Sequence, residues 1–270
     1  MRVHHLDCGT MRPLGAFGGR VTPTSLVAHC LLVERAEGLL LVDTGFGTAD
    51  IADPGRLGRP FRAVVRPTLE AAQTARAHVL ALGHAVEDVT DIVLTHLDLD
   101  HAGGIGDFPR ARIHVLDDEL EAALHPTPRE RARYVTAQWA HGPRWERQRP
   151  GAGGESWHGF EAVQVVGPDG GDPVLLVPLR GHTRGHCGVA VPRPGGGWLL
   201  HAGDAYFSAG DLTSPVTTPV GLRAFQRLMA ADDRQRRDNL DRLRELVATS
   251  APEVTVFSAH DPGELADLQA

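Results

Sequence analysis

The sequence predicts an α/β protein, and three observations carry that reading. Short apolar runs rich in β-formers recur from residue 24 to residue 257, stretches with helical spacing of Leu, Ala and Val lie between them, and several runs end abruptly in Asp, His or Gly. At 270 residues the chain suits one domain, residues 1–270, with a large core.

Residues 24–34 (TSLVAHCLLVE) and Gly38–Val42 flank a short polar turn, so a hairpin is expected whose second strand ends at Asp43-Thr44-Gly45. Residues 9–23 are rich in Gly and Pro and read as an irregular loop. After Pro67, Thr68 is the expected cap of a helix with an apolar stripe of Leu69, Ala72, Val79, Leu80 and Leu82 and a stop at Gly83. Residues 91–95 (DIVLT) form a short buried strand that delivers His96 at its carboxyl end, where ligands gather in α/β sheets.

Arg112–Leu116 reads as a strand, and Asp117–Leu124 as a helix whose acidic first turn suits the helix dipole. Residues 125–160 differ from their surroundings. They begin with a basic, helix-like part (129–139), in which Arg129 to Arg133 reads as a solvated face, and they hold three of the four tryptophans. Trp139, Trp145 and Trp157 are either core and loop anchors or, in a sharper reading, the wall of a lid or pocket insertion over the site. Strands are expected at 161–166, 174–179, 188–191 and 198–201, one helical region at about 221–247 with Leu240, Leu243, Leu246 and Val247 on one face, and a last strand at 253–257.

Composition narrows the function. No apolar run approaches a membrane span, so no membrane partner is expected, and residues 1–6 lack the apolar core of a signal peptide, which makes the cytoplasm the expected compartment. Cys8, Cys30 and Cys187 are odd in number and far apart, as reduced thiols would be. A net charge of −7 argues against a long phosphate-binding surface and hence against nucleic acid.

The chemistry concentrates in residues 94–104 (LTHLDLDHAGG), where His96, Asp98, Asp100 and His101 place four metal-competent side chains within six residues. Three later segments end strands with the same residue types: Gly181-His182-Thr183-Arg184-Gly185-His186, then Gly203-Asp204, then His260-Asp261. Imidazole and carboxylate together suit Zn²⁺ and admit Fe or Mn.

This ordered set resembles the metallo-β-lactamase superfamily, whose pattern is His-x-His-x-Asp-His, Gly-His-Thr-x-Gly-His, Gly-Asp and a late His. The motifs at 95–104, 181–186 and 204–206 look most like the acyl-homoserine lactonase branch. The resemblance implies a four-layer αββα sandwich: two mixed β-sheets with helices on the outer faces. It implies that His96, residue 98 and His182 hold one divalent ion, that Asp100, His101 and His260 hold a second, and that Asp204 bridges them. Zinc is the first expectation, with iron or manganese admitted at the His96/Asp98/His182 position. A metal-bound hydroxide would attack a carbonyl, with Asp100 among the catalytic residues and Tyr206 donating to the carbonyl oxygen. His186 and Asp43 would orient ligands.

Asp98 stands where most of the superfamily has His. Two divalent ions less two carboxylates and one hydroxide leave one positive charge, which a third carboxylate would cancel. A neutral centre favours a neutral lactone or ester with an apolar part over a phosphodiester. The alternatives are a thioesterase of the glyoxalase II kind, a β-lactamase, a mononuclear iron persulfide dioxygenase, or a degenerate member that only binds a ligand.

Overall fold

The computed structural model describes residues 1–150, 155–166 and 173–270. The expected lid or pocket segment 125–160 therefore lies partly outside the described residues, at 151–154. Its strands are β1 (Arg2–Met11), β2 (Leu26–Arg35), β3 (Gly38–Val42), β4 (Val89–Val93), β5 (Arg112–Leu116), β6 (Arg144–Gln148), β7 (Glu155–Trp157), β8 (Phe160–Val166), β9 (Val174–Pro178), β10 (Cys187–Pro192), β11 (Trp198–His201) and β12 (Val254–Phe257). The helices are α1 (Thr48–Ala52), α2 (Arg59–Val64), α3 (Ala75–Ala81), α4 (Asp117–Leu124), α5 (Val220–Met229), α6 (Asp233–Ser250) and α7 (Pro262–Gln269).

Two six-stranded mixed sheets result, ordered β1-β2-β3-β4-β5-β6 and β12-β11-β10-β9-β8-β7. In the first, β1, β2 and β3 are antiparallel and β3 to β6 run parallel; in the second only β11 and β12 are parallel. Strand alternation builds the layers. On β2 and β3, Leu31, Val33, Leu40 and Val42 meet Val174, Leu176, Val189 and Val191 of the other sheet. Leu32 and Leu41, between them in sequence, face outward with Val79 of α3 and Leu120 of α4. Ala190 and Leu200 on the far side of the second sheet pack with Leu240, Leu243 and Leu246 of α6. An inter-sheet core flanked by two sheet-helix cores is the four-layer αββα arrangement, with helices on the outer faces.

Several elements depart from the sequence expectation. Strand β1 takes in residues 9–11, the start of the expected loop at 9–23, and its His, Asp and Thr residues on an edge obscure the apolar pattern in sequence. The expected helix at 68–82 begins only at Ala75, capped by Thr74; Thr68 instead donates from its backbone to the Thr10 carbonyl at 2.9 Å, and Leu69 has a left-handed backbone with φ 54°. The helical region at 221–247 is two helices. It breaks where Ala231 and Asp232 donate backbone bonds to the carbonyls of His182 and Gly181, both at 2.9 Å, and Asp232 then caps α6. The helix-like reading of 129–139 is corrected to turns followed by one 3₁₀ turn at Thr136–Gln138. Within the turns, the Glu130 carboxylate accepts from Thr127 and is paired with Arg184.

The tryptophans serve the core: Trp139 and Trp145 pack edge to face beside the first sheet, and Trp157 packs against Trp198 beside the second. The three cysteines are free and buried. Among the described residues no helix is long and apolar enough to cross a membrane.

Candidate metal centre

The site lies at the carboxyl ends of β3 and β4 and in the loops that follow β9, β11 and β12. Just past β3, Asp43 has a left-handed backbone with φ 55°, a conformation that Asp tolerates better than most residues with a side chain, and its carboxylate is fully enclosed. Oδ1 accepts from Thr95 N at 2.8 Å; Oδ2 accepts from the Thr95 hydroxyl at 2.7 Å and from His101 Nδ1 at 2.8 Å. The Thr95 hydroxyl in turn takes the Nδ1 proton of His96 at 2.9 Å. On the far side of the site, His260 Nδ1 donates to the Val27 carbonyl at 2.7 Å. This network assigns three imidazoles the tautomer whose Nε2 lone pair points inward.

Those lone pairs converge on carboxylates. Asp204 Oδ1 lies 3.1 Å from His260 Nε2 and 3.3 Å from His101 Nε2, while its Oδ2 lies 3.2 Å from His182 Nε2 and 3.8 Å from His96 Nε2. One carboxylate thus presents an oxygen to each half of the site. His96, Asp98, His182 and Asp204 form one compact donor group and Asp100, His101 and His260 a second, with donor atoms in each lying within 4.8 Å of one another. All seven side chains singled out from the sequence as ligands are therefore brought together.

The donor set fits divalent cations. His96 Nε2, His101 Nε2 and Asp204 Oδ1 are buried with no hydrogen-bond partner among the described residues, a costly arrangement unless a cation satisfies them. Burial pushes the Asp204 carboxyl up, but protons carried on His260, His101 and His182 in place of a metal ion outweigh it and hold Asp204 well below the usual carboxylate range. Its backbone is set by His186, which donates from Nδ1 to the Leu179 carbonyl and accepts the Asp204 N–H on Nε2 at 2.9 Å. Gly203 makes that approach feasible: a Cβ there would fall 2.6 Å from His186 Nε2 on a backbone with φ +54°. His201 is no ligand; it accepts the Gly203 N–H and faces the His29 carbonyl.

Two expectations are corrected. Tyr206, expected to donate to a substrate carbonyl, is fully buried with its hydroxyl on Glu264 Oε1 at 2.9 Å, so that proton is already committed away from the donor groups. The aromatic ring facing the imidazoles is Phe207, centred 4.7 Å from His260 and 5.8 Å from His182. Second, Arg129 to Arg133 is not wholly solvated, since Arg133 is buried. Arg133 Nε lies 2.7 Å from Asp98 Oδ1 and its Nη2 donates to Asp98 Oδ2 at 2.8 Å. In the metal-free protein the guanidinium supplies the positive charge that compensates this third carboxylate. Burial pushes Asp98 up, but Arg133 and His96 more than offset it and hold the carboxyl well below its usual range.

Two supporting residues carried no sequence motif. Glu119, in the first turn of α4, accepts from Leu97 N and Tyr134 Oη on one oxygen and from Thr183 Oγ1 and Gly185 N on the other. Gln138 Nε2 donates to the Leu99 carbonyl and to Asp50. The acidic first turn of α4 was visible in sequence, but only as a helix signal.

A two-sheet α/β fold with histidine and aspartate ligands at its strand ends defines a class of metal-dependent hydrolases. The model of the metallo-beta-lactamase superfamily matches residues 23–249, and the chain belongs to that superfamily. A probable metallo-hydrolase of Mycobacterium tuberculosis is 45% identical over 263 residues, 97% of this chain and 81% of the relative. An N-acyl homoserine lactonase of Bacillus thuringiensis is 33% identical over 102 residues, 37% of this chain and 41% of its own length. A solved N-acyl homoserine lactone hydrolase with the product N-hexanoyl-L-homoserine at its catalytic metal centre shares the fold at TM-score 0.73 and 24% identity, covering 98% of this chain and 95% of that one.

Proposed function

We propose that this metallo-hydrolase cleaves neutral carbonyl esters, lactones foremost, with divalent ions, zinc first, held by His96, Asp98, Asp100, His101, His182, Asp204 and His260. The observation that carries the reading is the apolar cluster adjoining the donors. Leu99 from the ligand loop and Phe207, three residues after Asp204, pack with Leu222, Phe225, Phe61 and Val135. Such a wall favours a substrate with an apolar part beside a neutral reacting group. The relatives named as N-acyl homoserine lactonases support the same chemistry.

Bound divalent ions would lower the pKa of water toward neutrality and polarise a carbonyl oxygen. The chain's part is to position and to exclude solvent. Phe207 covers the imidazoles of His182 and His260 against bulk water. Asp100 has the most exposed side chain of the seven, 13% against 4% for Asp204, so it marks the opening and is placed to accept a proton from the attacking water.

The test is elemental analysis of protein purified without chelator, followed by a lactone, thioester, β-lactam and phosphodiester panel with each metal restored. Lactone turnover lost on chelation and regained with zinc is the expected result. Preference for the thioester or β-lactam would move the assignment to those reactions. Bound iron with oxygen uptake on a persulfide would replace hydrolysis by oxygenation.

A further inference from the structure

Among the buried charges, Arg133 stands apart because it enters the centre from the 125–160 segment rather than from a ligand loop. Its Nη2 donates to Asp98 Oδ2 at 2.8 Å, and its Nε forms a close ion pair with Asp98 Oδ1 at 2.7 Å. Nη1 donates to the His182 carbonyl at 2.9 Å, and Nη2 lies 3.0 Å from His182 Nε2. In the tautomer that ligation requires, that nitrogen offers its lone pair, and the guanidinium is the group that receives it. His182 also lacks the outer anchor that the other three imidazoles have, since its Nδ1 has no partner among the described residues. By contrast, among the described residues no Arg is paired with Asp100, His101 or His260, whose ionic contacts are with Asp43 and Asp204 and with one another.

The arginine is held in place. Arg184 clasps Glu130, with Nε 3.0 Å from Oε1 and Nη2 3.2 Å from Oε2, which fastens the 127–133 turn to the loop carrying His182. Arg56 Nη2 donates to the Ala137 carbonyl at 2.9 Å just beyond it. A buried guanidinium paired with a buried carboxylate is retained strongly, because withdrawing it leaves the carboxylate uncompensated.

We propose that Arg133 is a built-in cation that makes the two halves of the centre unequal: a divalent ion binds tightly at Asp100, His101, Asp204 and His260, while at His96, Asp98 and His182 it must displace the guanidinium from Asp98 and from the His182 lone pair. Arg133 is thus a positioning residue that sets the order of metal filling. The inference rests on the reading that the seven residues bind divalent ions.

The test is a Zn²⁺ titration of metal-free protein against a chromophoric chelator, which returns two dissociation constants per chain. In the wild-type chain the second ion should bind about 100-fold or more weaker than the first. Arg133→Met should bring the two constants within about tenfold, and Arg133→Lys, which restores the charge without the guanidinium, should fall between. Because Arg133→Met leaves Asp98 alone and could unfold the metal-free chain, the double variant Arg133→Met/Asp98→His removes both charges together and should also bind two ions nearly equally. A purely structural role would weaken both ions together and leave their ratio unmoved. Two equal constants in the wild type, or an unchanged ratio in the folded variants, overturns the proposal while leaving metal-dependent hydrolysis intact. Failure of the wild type to bind any Zn²⁺ overturns both.

Discussion

The Asp43 carboxylate accepts the Nδ1 proton of His101 at 2.8 Å, and that bond decides which imidazole nitrogen faces the interior. The same oxygen takes the hydroxyl proton of Thr95, which receives His96 Nδ1, so one carboxylate orients ligands in both halves of the centre. Asp43→Asn keeps the size but puts either an amide N–H against these two donors or, once flipped, another against Thr95 N. Affinity for zinc should fall by about 10- to 100-fold, as loss of a ligand's outer partner commonly causes. Competition with a chelator measures it, and unchanged affinity in a folded variant would remove Asp43 from this role.

Glu119 makes the corresponding connection between loops. It receives two backbone N–H groups, Leu97 N at 3.0 Å and Gly185 N at 3.1 Å, and two hydroxyls. Glu119→Ala strands those donors in a buried place and opens a cavity, so unfolding free energy should drop by roughly 3–5 kcal/mol. Urea denaturation with and without zinc tests it. A loss under about 1 kcal/mol would mean that water or a neighbour satisfies the donors instead.

The candidate ligands were legible because their chemistry is dense in sequence: His96 to His101 is nearly contiguous, and His182, Asp204 and His260 each sit where an apolar run stops. The fold's layers were legible only by resemblance. Leu31 and Leu32 serve different cores, and the alternation that sends them apart does not say which layer each meets. Arg133 was hidden for a related reason. Beside Arg129 and Arg131 it reads as one more surface cation, and nothing local reveals that Asp98, 35 residues away, claims it. A buried carboxylate demands a counter-charge, so Asp98 posed that question in sequence without naming the answer. The break between α5 and α6 was hidden too, because it exists to bond the Gly181 and His182 carbonyls, distant in sequence.

Tyr206→Phe separates the two roles considered for that residue. With its hydroxyl on Glu264, its loss should cost about 1 kcal/mol of stability and leave kcat and KM within about twofold. A donor to the substrate carbonyl would instead cost about 100-fold or more in kcat. Steady-state kinetics on the best lactone of the panel decides between them.

Glu264 supplies a pH dependence whose sign follows from its surroundings. Burial is the main cause that raises its carboxyl from 4.5 to about 7, against the hydrogen bonds from Ser258 N and Tyr206 that favour ionisation. A carboxyl raised on folding binds its proton more tightly in the native chain than in the unfolded one. The native state therefore holds more protons between pH 4.5 and about 7, and this group's contribution to stability declines as pH rises through that window. Full expression of the shift would amount to at most about 3 kcal/mol. Glu264→Gln imitates the protonated form: its amide oxygen can accept from Ser258 N and its N–H can donate to the Tyr206 oxygen. The variant should match the wild type near pH 4.5 and gain on it steadily up to about pH 8. Thermal or urea midpoints measured in parallel across that range test this. A difference that stays constant with pH would show that Glu264 is already ionised in the folded chain throughout.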